Sequence, residues 1–236
     1  MNNTKKILIA NRGVIAIRAL RAAKELGYEV ASVYSTADKN LKHLKLSDEA
    51  ICIGPPDSRD SYLNEAAIIS AAELANVDGI YPGYGFLAEN AEFAEKCKNS
   101  GFKFIGPSHE IISLMGDKIQ AKNLMRKLGV PVVPGYEGPV ESKEQIEDEV
   151  KKVGLPVIIK AAAGGGGRGM RIVKELSELW DAIEDARSEA NAAFGNDLVF
   201  IERYLEKPRH VEIQIFGDGK GNVVHLFSRD CSLQRK

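Results

Sequence analysis

Residues 157–170 read Val-Ile-Ile-Lys-Ala-Ala-Ala-Gly-Gly-Gly-Gly-Arg-Gly-Met, with five glycines among the six residues 164–169. Ordering such a tract costs roughly 0.5–1 kcal/mol per glycine relative to alanine, because glycine gives up the most backbone freedom on folding. A flexible linker could have this composition, but linkers rarely sit between two β-branched strands inside a domain. A loop without side chains can instead bring several backbone N–H groups onto phosphate oxygens, and phosphate binding is the chemistry expected here. The spacing Gly164-x-Gly166-x-x-Gly169 fits a dinucleotide fingerprint. That motif joins a strand to a helix, however, and these glycines join strand to strand. A Walker A loop needs Gly-Lys-Ser/Thr ahead of a helix, which is absent. What fits is a flap over a nucleotide, with Lys160 just before it to meet phosphate charge.

Other residues could take part. Lys118, in Met115-Gly116-Asp117-Lys118, would on its own be an exposed lysine at a helix start. Glu202 and Arg203 lie near the end of the apolar stretch Val199-Phe200-Ile201-Glu202-Arg203-Tyr204-Leu205. An acid and a base there suit hydroxyl recognition and suit a surface ion pair equally well. In His210-Val211-Glu212-Ile213-Gln214, period-two alternation puts His210, Glu212 and Gln214 on one strand face, which means either solvent or a polar cleft. Cys52, Cys97 and Cys231 are far apart and lack metal-ligand spacing, so they read as reduced thiols of a cytoplasmic protein.

The elements that must position these residues follow from periodicity. Strands are expected at 6–10, 30–34, 51–53, 79–81 and 103–105, with helices after Gly13 (stopped by Gly27), at 65–75 and at 89–97. Strands alternating with helices imply a parallel sheet covered on both faces. Helices at 108–115 and 118–128 come next, then a linker at 130–135, and a domain boundary is expected near 115–130. Beyond it the pattern gives a charged helix at 141–153, strands at 156–160 and 170–173, a helix at 177–193 and a strand at 198–204. A hairpin of 210–216 with 222–228 turns around Asp218-Gly219-Lys220-Gly221, and at least one of its edges is expected to be bare.

Composition narrows the function classes. At 44% hydrophobic and 28% charged, the 236 residues read as a soluble globular chain with room for one large or two modest domains. Thirty-two basic against 33 acidic residues give a net charge of −1, so neither nucleic acid nor an anionic membrane is expected as a partner. No apolar run is long enough to cross a bilayer. The first residues lead straight into strand-like sequence, so no signal or transit segment is expected.

Taken together, these residues resemble the biotin carboxylase family, the biotin-carboxylating subunit or domain of acetyl-CoA, propionyl-CoA and pyruvate carboxylases. The likeness runs over residues 6–236. It includes Ile9-Ala10-Asn11-Arg12-Gly13, Tyr81-Pro82-Gly83-Tyr84-Gly85-Phe86-Leu87-Ala88-Glu89-Asn90, Phe104-Ile105-Gly106-Pro107 and Met115-Gly116-Asp117-Lys118. It continues through Lys160 and its glycines, Pro208-Arg209-His210-Val211-Glu212-Ile213-Gln214, and Arg229-Asp230-Cys231-Ser232-Leu233-Gln234-Arg235.

The resemblance implies an α/β architecture. Residues 1–117 would be a Rossmann-like parallel-sheet N-terminal domain that binds no dinucleotide. Residues 118–236 would be an ATP-grasp domain, with an α+β lid at about 131–204 and the start of the large lobe from about 205. The implied reaction is ATP-dependent carboxylation of biotin with bicarbonate through carboxyphosphate, giving ADP and phosphate. Biotin would be presented on a biotin carboxyl carrier protein or domain. A carboxyltransferase partner, a homodimer when full length and a cytoplasmic location are implied as well. Lys118 and Lys160 match lysines that hold ATP phosphates, and Gly165, Gly166 and Gly167 match the closing flap. Glu202, Arg203, Tyr204, Leu205 and His210 match adenine and ribose contacts, Gln234 joins the same site, and Tyr84 lines the carboxylation centre. The family's Mg²⁺ ligands, bicarbonate lysine and biotin-site arginines lie in its pattern beyond residue 236, so no catalytic set is complete here and no metal ligand is assigned. The isolated chain is expected not to carboxylate biotin. Val14 stands where the family has glutamate and Tyr81 where it has histidine; neither position is a matched ATP contact. Two alternatives remain: another ATP-grasp ligase, or an inactive nucleotide-binding or dimerisation module. The final carboxyl acceptor is not written in these residues.

Overall fold

The computed structural model describes residues 5–162 and 170–233. The chain divides into two compact units, Met1–Gly116 and Asp117–Lys236.

In the first unit five strands, β1 (Lys6–Ile9), β2 (Glu29–Ser35), β3 (Glu49–Gly54), β4 (Gly79–Tyr81) and β5 (Lys103–Phe104), form a sheet in the order β3-β2-β1-β4-β5. Every pairing in it is parallel. Helices α1 (Gly13–Glu25), α2 (Lys42–Leu46), α3 (Glu65–Leu74), α4 (Ala91–Asn99) and α5 (His109–Gly116) connect or follow the strands. Successive strand residues point to opposite faces, and β1 shows the result. Leu8 joins Ile68 of α3 and Phe93 of α4 in one apolar cluster, whereas Ile9 packs with Ala16, Ala19 and Leu20 of α1 in another. Helices therefore cover both faces, as the alternation implies.

The strand order reverses between β1 and β4, and such a switch leaves a crevice at the carboxyl ends of the two strands. Asn11-Arg12-Gly13 follows β1 there and Pro82-Gly83-Tyr84-Gly85 follows β4. Asn11 is buried, and its Nδ2 donates to Pro82 O at 2.7 Å and to Tyr84 O at 2.9 Å. Gly83 has φ +73°, and a Cβ on it would fall 2.9 Å from Asn11 Nδ2, so the turn requires glycine. Arg12 pairs with Asp38 at 2.9 Å and lies over the rings of Tyr62 and Phe86.

In the second unit β6 (Gly135–Tyr136), β9 (Val199–Arg203), β7 (Val157–Ala161) and β8 (Arg171–Val173) form an antiparallel sheet in the order β6-β9-β7-β8. Its helices are α6 (Lys118–Lys127), α7 (Lys143–Val153) and α8 (Leu179–Phe194). Ile146 and Val150 of α7, with Leu179, Ile183 and Ala186 of α8, pack on Val157, Ile159, Val173, Val199 and Ile201 of the sheet. The first turn of the helix expected at 177–193 is instead a 3₁₀ turn at Leu176–Glu178. The stretch expected as a linker at 130–135 ends in β6, which pairs with β9 in the register Gly135↔Glu202. The prolines and glycine of Val130-Pro131-Val132-Val133-Pro134-Gly135 read as a linker, which hides a strand of two residues. A Cβ on Gly135 would lie 2.4 Å from Ile201 O, so only glycine allows the strands to come this close. Strands β10 (Val211–Gly217) and β11 (Val223–Asp230) form the expected hairpin. Among the described residues they pair only with each other, and β11 is exposed throughout.

Candidate functional site

The site is assembled where α6 meets the face of the second sheet opposite its core. Asp117 caps α6: its Oδ1 accepts from Ile119 N at 2.9 Å and from Gln120 N at 3.0 Å. This satisfies two N–H groups that would otherwise lack partners at a helix start, and it makes Lys118 the first helical residue. Lys118 Nζ donates to Ala162 O at 3.4 Å, just past the end of β7 and two residues before the glycine tract. Helical residues four apart share a face, so Lys122 and Arg126 continue the line that Lys118 begins.

On the sheet, Lys160 pairs in register with Phe200, and Ile158 with Glu202. Alternation then puts Lys160, Phe200 and Glu202 on one face and Val157, Ile159 and Ile201 on the buried one. The charges interlock. Glu202 Oε2 lies 2.6 Å from Lys160 Nζ, and Glu202 Oε1 lies 2.9 Å from Lys122 Nζ. Lys122 Nζ also meets Glu137 Oε1 at 2.5 Å and sits 5.7 Å from the centre of the Phe200 ring. Arg126 reaches Glu137 at 3.3 Å. The side chains of Glu202 and Glu137 are each 11% exposed, that of Lys122 14% and that of Lys160 32%. Burial pushes the Glu202 carboxyl up, but the hydrogen bonds and charges of Lys160 and Lys122 outweigh burial and hold it below the ordinary glutamate value. The result is an ionised acid gripping two ammonium groups, one of them more open to solvent.

The remaining expected site residues are placed as follows. Arg203 turns away from Glu202, as its neighbour on a strand must, and its guanidinium donates to Val153 O at the end of α7 through Nε at 3.0 Å and Nη2 at 2.5 Å. The Arg203 and Tyr204 amides donate to Pro134 O and Pro156 O, and Leu205 is 48% exposed. His210 stands at the start of the hairpin, donating its N–H to Ser232 Oγ at 3.1 Å. Tyr84 belongs to the first unit, where its side chain is exposed and its carbonyl is held by Asn11. Gly165, Gly166, Gly167 and Gln234 lie outside the described residues. The structure thus brings Lys118, Lys160 and Glu202 to one face. It adds Lys122, Arg126 and Glu137, which the sequence reading missed. Basic residues at 118, 122 and 126, one helical turn apart, were the available signal. Among the described residues, no group of three or more His, Cys, Asp or Glu is placed to hold a metal ion, and no helix is long and apolar enough to cross a membrane.

Residues 117–236 match the family described as carbamoyl-phosphate synthase L chain, ATP binding domain, and residues 3–112 match biotin carboxylase, N-terminal domain. The chain is 56% identical over 233 residues to a biotin carboxylase of Pseudomonas aeruginosa, covering 98% of this chain and 52% of that protein. It superposes with a TM-score of 0.92 and 53% identity on the crystal structure of a biotin carboxylase β,γ-ATP complex from Campylobacter jejuni, covering 98% of this chain and 52% of that one. The biotin carboxylase domain dimer of the Hydrogenobacter thermophilus 2-oxoglutarate carboxylase, solved with MgADP, ADP and bicarbonate, gives a TM-score of 0.89 at 47% identity, with 98% and 51% coverage. The chain spans about half the length of the curated relatives it matches. The N-terminal match separates it from other ligases with the same kind of ATP-binding domain. With both matched domains in sequence along residues 3–112 and 117–236, the chain belongs to the biotin carboxylase family.

Proposed function

We propose that this chain forms the nucleotide-binding front of an enzyme that carboxylates biotin at the expense of ATP. In the full-length protein, bicarbonate and ATP would give carboxyphosphate and ADP. The carboxyl group would then pass to the ureido nitrogen of biotin on a carrier protein or domain, with release of phosphate. A carboxyltransferase would draw on that carboxybiotin, and the protein would work in the cytoplasm as a homodimer.

The observation that carries this reading is the convergence of Lys118 and Lys160 on the end of β7, where the chain enters its glycine tract. Phosphoryl transfer depends on positioning and on neutralising charge more than on covalent help from the protein. Two ammonium groups suit phosphate oxygens as point charges, and a tract without side chains can add main-chain N–H donors. Glu202, Leu205 and His210 are the candidates for the nucleoside end, with Tyr84 for the carboxylation centre. Mg²⁺ wants carboxylate and phosphate oxygens in an octahedral cage. The part of this chemistry assigned to this chain is the lysine grip on phosphate.

The test is calorimetric titration of the full-length protein with Mg-ATP. Lys160→Gln is expected to weaken binding by about 1.5–3 kcal/mol, the worth of a hydrogen bond to a charged group, or roughly 10- to 150-fold. Unchanged affinity in a folded variant would overturn the assignment of Lys160. Biotin-dependent ADP release is expected from the full-length protein and not from residues 1–236 alone.

A further inference from the structure

We infer that Lys122 is a positioning residue of the nucleotide site, holding Glu202 so that Lys160 can pass from Glu202 to a phosphate. This rests on the nucleotide reading above and adds a residue outside the motifs that led to it.

The two ammonium groups on Glu202 are not equivalent. Lys160 is the more exposed, at 32% against 14% for Lys122. Four residues further along the chain the glycine tract begins. Lys122 is the more enclosed: its Nζ lies 2.9 Å from Glu202 Oε1 and 2.5 Å from Glu137 Oε1, with the Phe200 ring centre 5.7 Å away. These ion pairs are its contacts, since it makes no well-aligned hydrogen bond among the described residues. Glu137 is itself braced by Arg126, whose Nη2 lies 3.3 Å from both carboxylate oxygens. Gly135 leaves the space for this arrangement, since a Cβ there would come within 3.2 Å of Lys122 Nζ.

If Lys160 alone neutralised Glu202, moving it to a phosphate would strand a carboxylate that is only 11% exposed. Breaking a buried pair by removing one partner is strongly unfavourable for that reason. With Lys122 in place the sum changes. After Lys160 leaves, Lys122 and Arg126 still balance Glu202 and Glu137, two charges against two. Glu202 keeps a partner throughout, and the transfer of Lys160 loses most of its penalty. Lys122 then acts on nucleotide affinity without touching nucleotide.

The experiment uses the full-length protein, with Mg-ATP titration and steady-state ADP release. Lys122→Met is expected to raise both the Kd and the KM for ATP roughly tenfold while kcat stays within about twofold. Lys122→Arg, which keeps the charge, should restore most of the affinity. In a Glu202→Gln background, Lys122→Met should cause no further weakening, because the acid it serves is already neutral. A folded Lys122→Met with unchanged Kd overturns the inference, and so does full additivity with Glu202→Gln. If Lys122→Met does not fold, Lys122→Gln, which keeps a donor toward Glu137, is judged by the same criteria. Failure of the unaltered full-length protein to bind Mg-ATP would overturn the nucleotide reading itself, a distinct result.

Discussion

Asn11 donates both of its amide protons to the main chain of a loop more than seventy residues away, at Pro82 and Tyr84. Both carbonyls are drawn toward β1 by one side chain that is only 3% exposed. Asn11→Ala would leave them short of donors, and a buried group without its partner costs about 1–3 kcal/mol. The expected outcome is a lower urea midpoint with faster amide exchange across residues 82–86. An unchanged midpoint would show that water replaces the carboxamide freely. At this scale the sequence was partly legible. Lys160 stood out because five glycines follow closely behind it, and Glu202 because an acid interrupts an apolar strand. Lys122 and Glu137 did not, because a lysine inside a charged helix and a glutamate in a loop each look like ordinary surface. Their partners come from elements that only the fold brings together.

The helix that carries Lys118 and Lys122 depends on one cap. Asp117→Ala should cost about 1 kcal/mol, as loss of an aspartate N-cap does, seen as a lower urea midpoint at neutral pH. The Asp117 carboxyl lies below the ordinary aspartate value, chiefly because the Gln120 backbone N–H bonds its charged form. Its contribution is therefore complete above the unfolded-state value of about 3.9 and fades as pH falls through the lower folded-state value. The gap between Asp117→Ala and the unaltered chain should narrow in acid, and a gap independent of pH would contradict that origin. Long elements with a clear period were legible: α1, α3, α7 and the alternating strands of the first sheet all follow from where their apolar residues fall. The short strands β4, β5 and β8 were legible too, but two other short elements were not. The five-residue α2 and the two-residue β6 owe their existence to neighbours, through burial of His43 in one case and pairing with β9 in the other.

At the scale of the whole molecule, alternation of strands and helices followed by a change of pattern was enough to imply two differently built parts. Each part has its own sealed interior. Leu8, Val33, Ile68, Ile80 and Phe93 fill one, and Ile146, Val157, Ile183 and Ile201 fill the other, with no residue common to both clusters. Chains built this way need not unfold as one cooperative event. Heated in a scanning calorimeter, the 236-residue chain should absorb heat in two separable steps. Asn11→Ala and Asp117→Ala then become labels, the first lowering one peak and the second lowering the other. A single peak displaced equally by both substitutions would mean that the two interiors melt together.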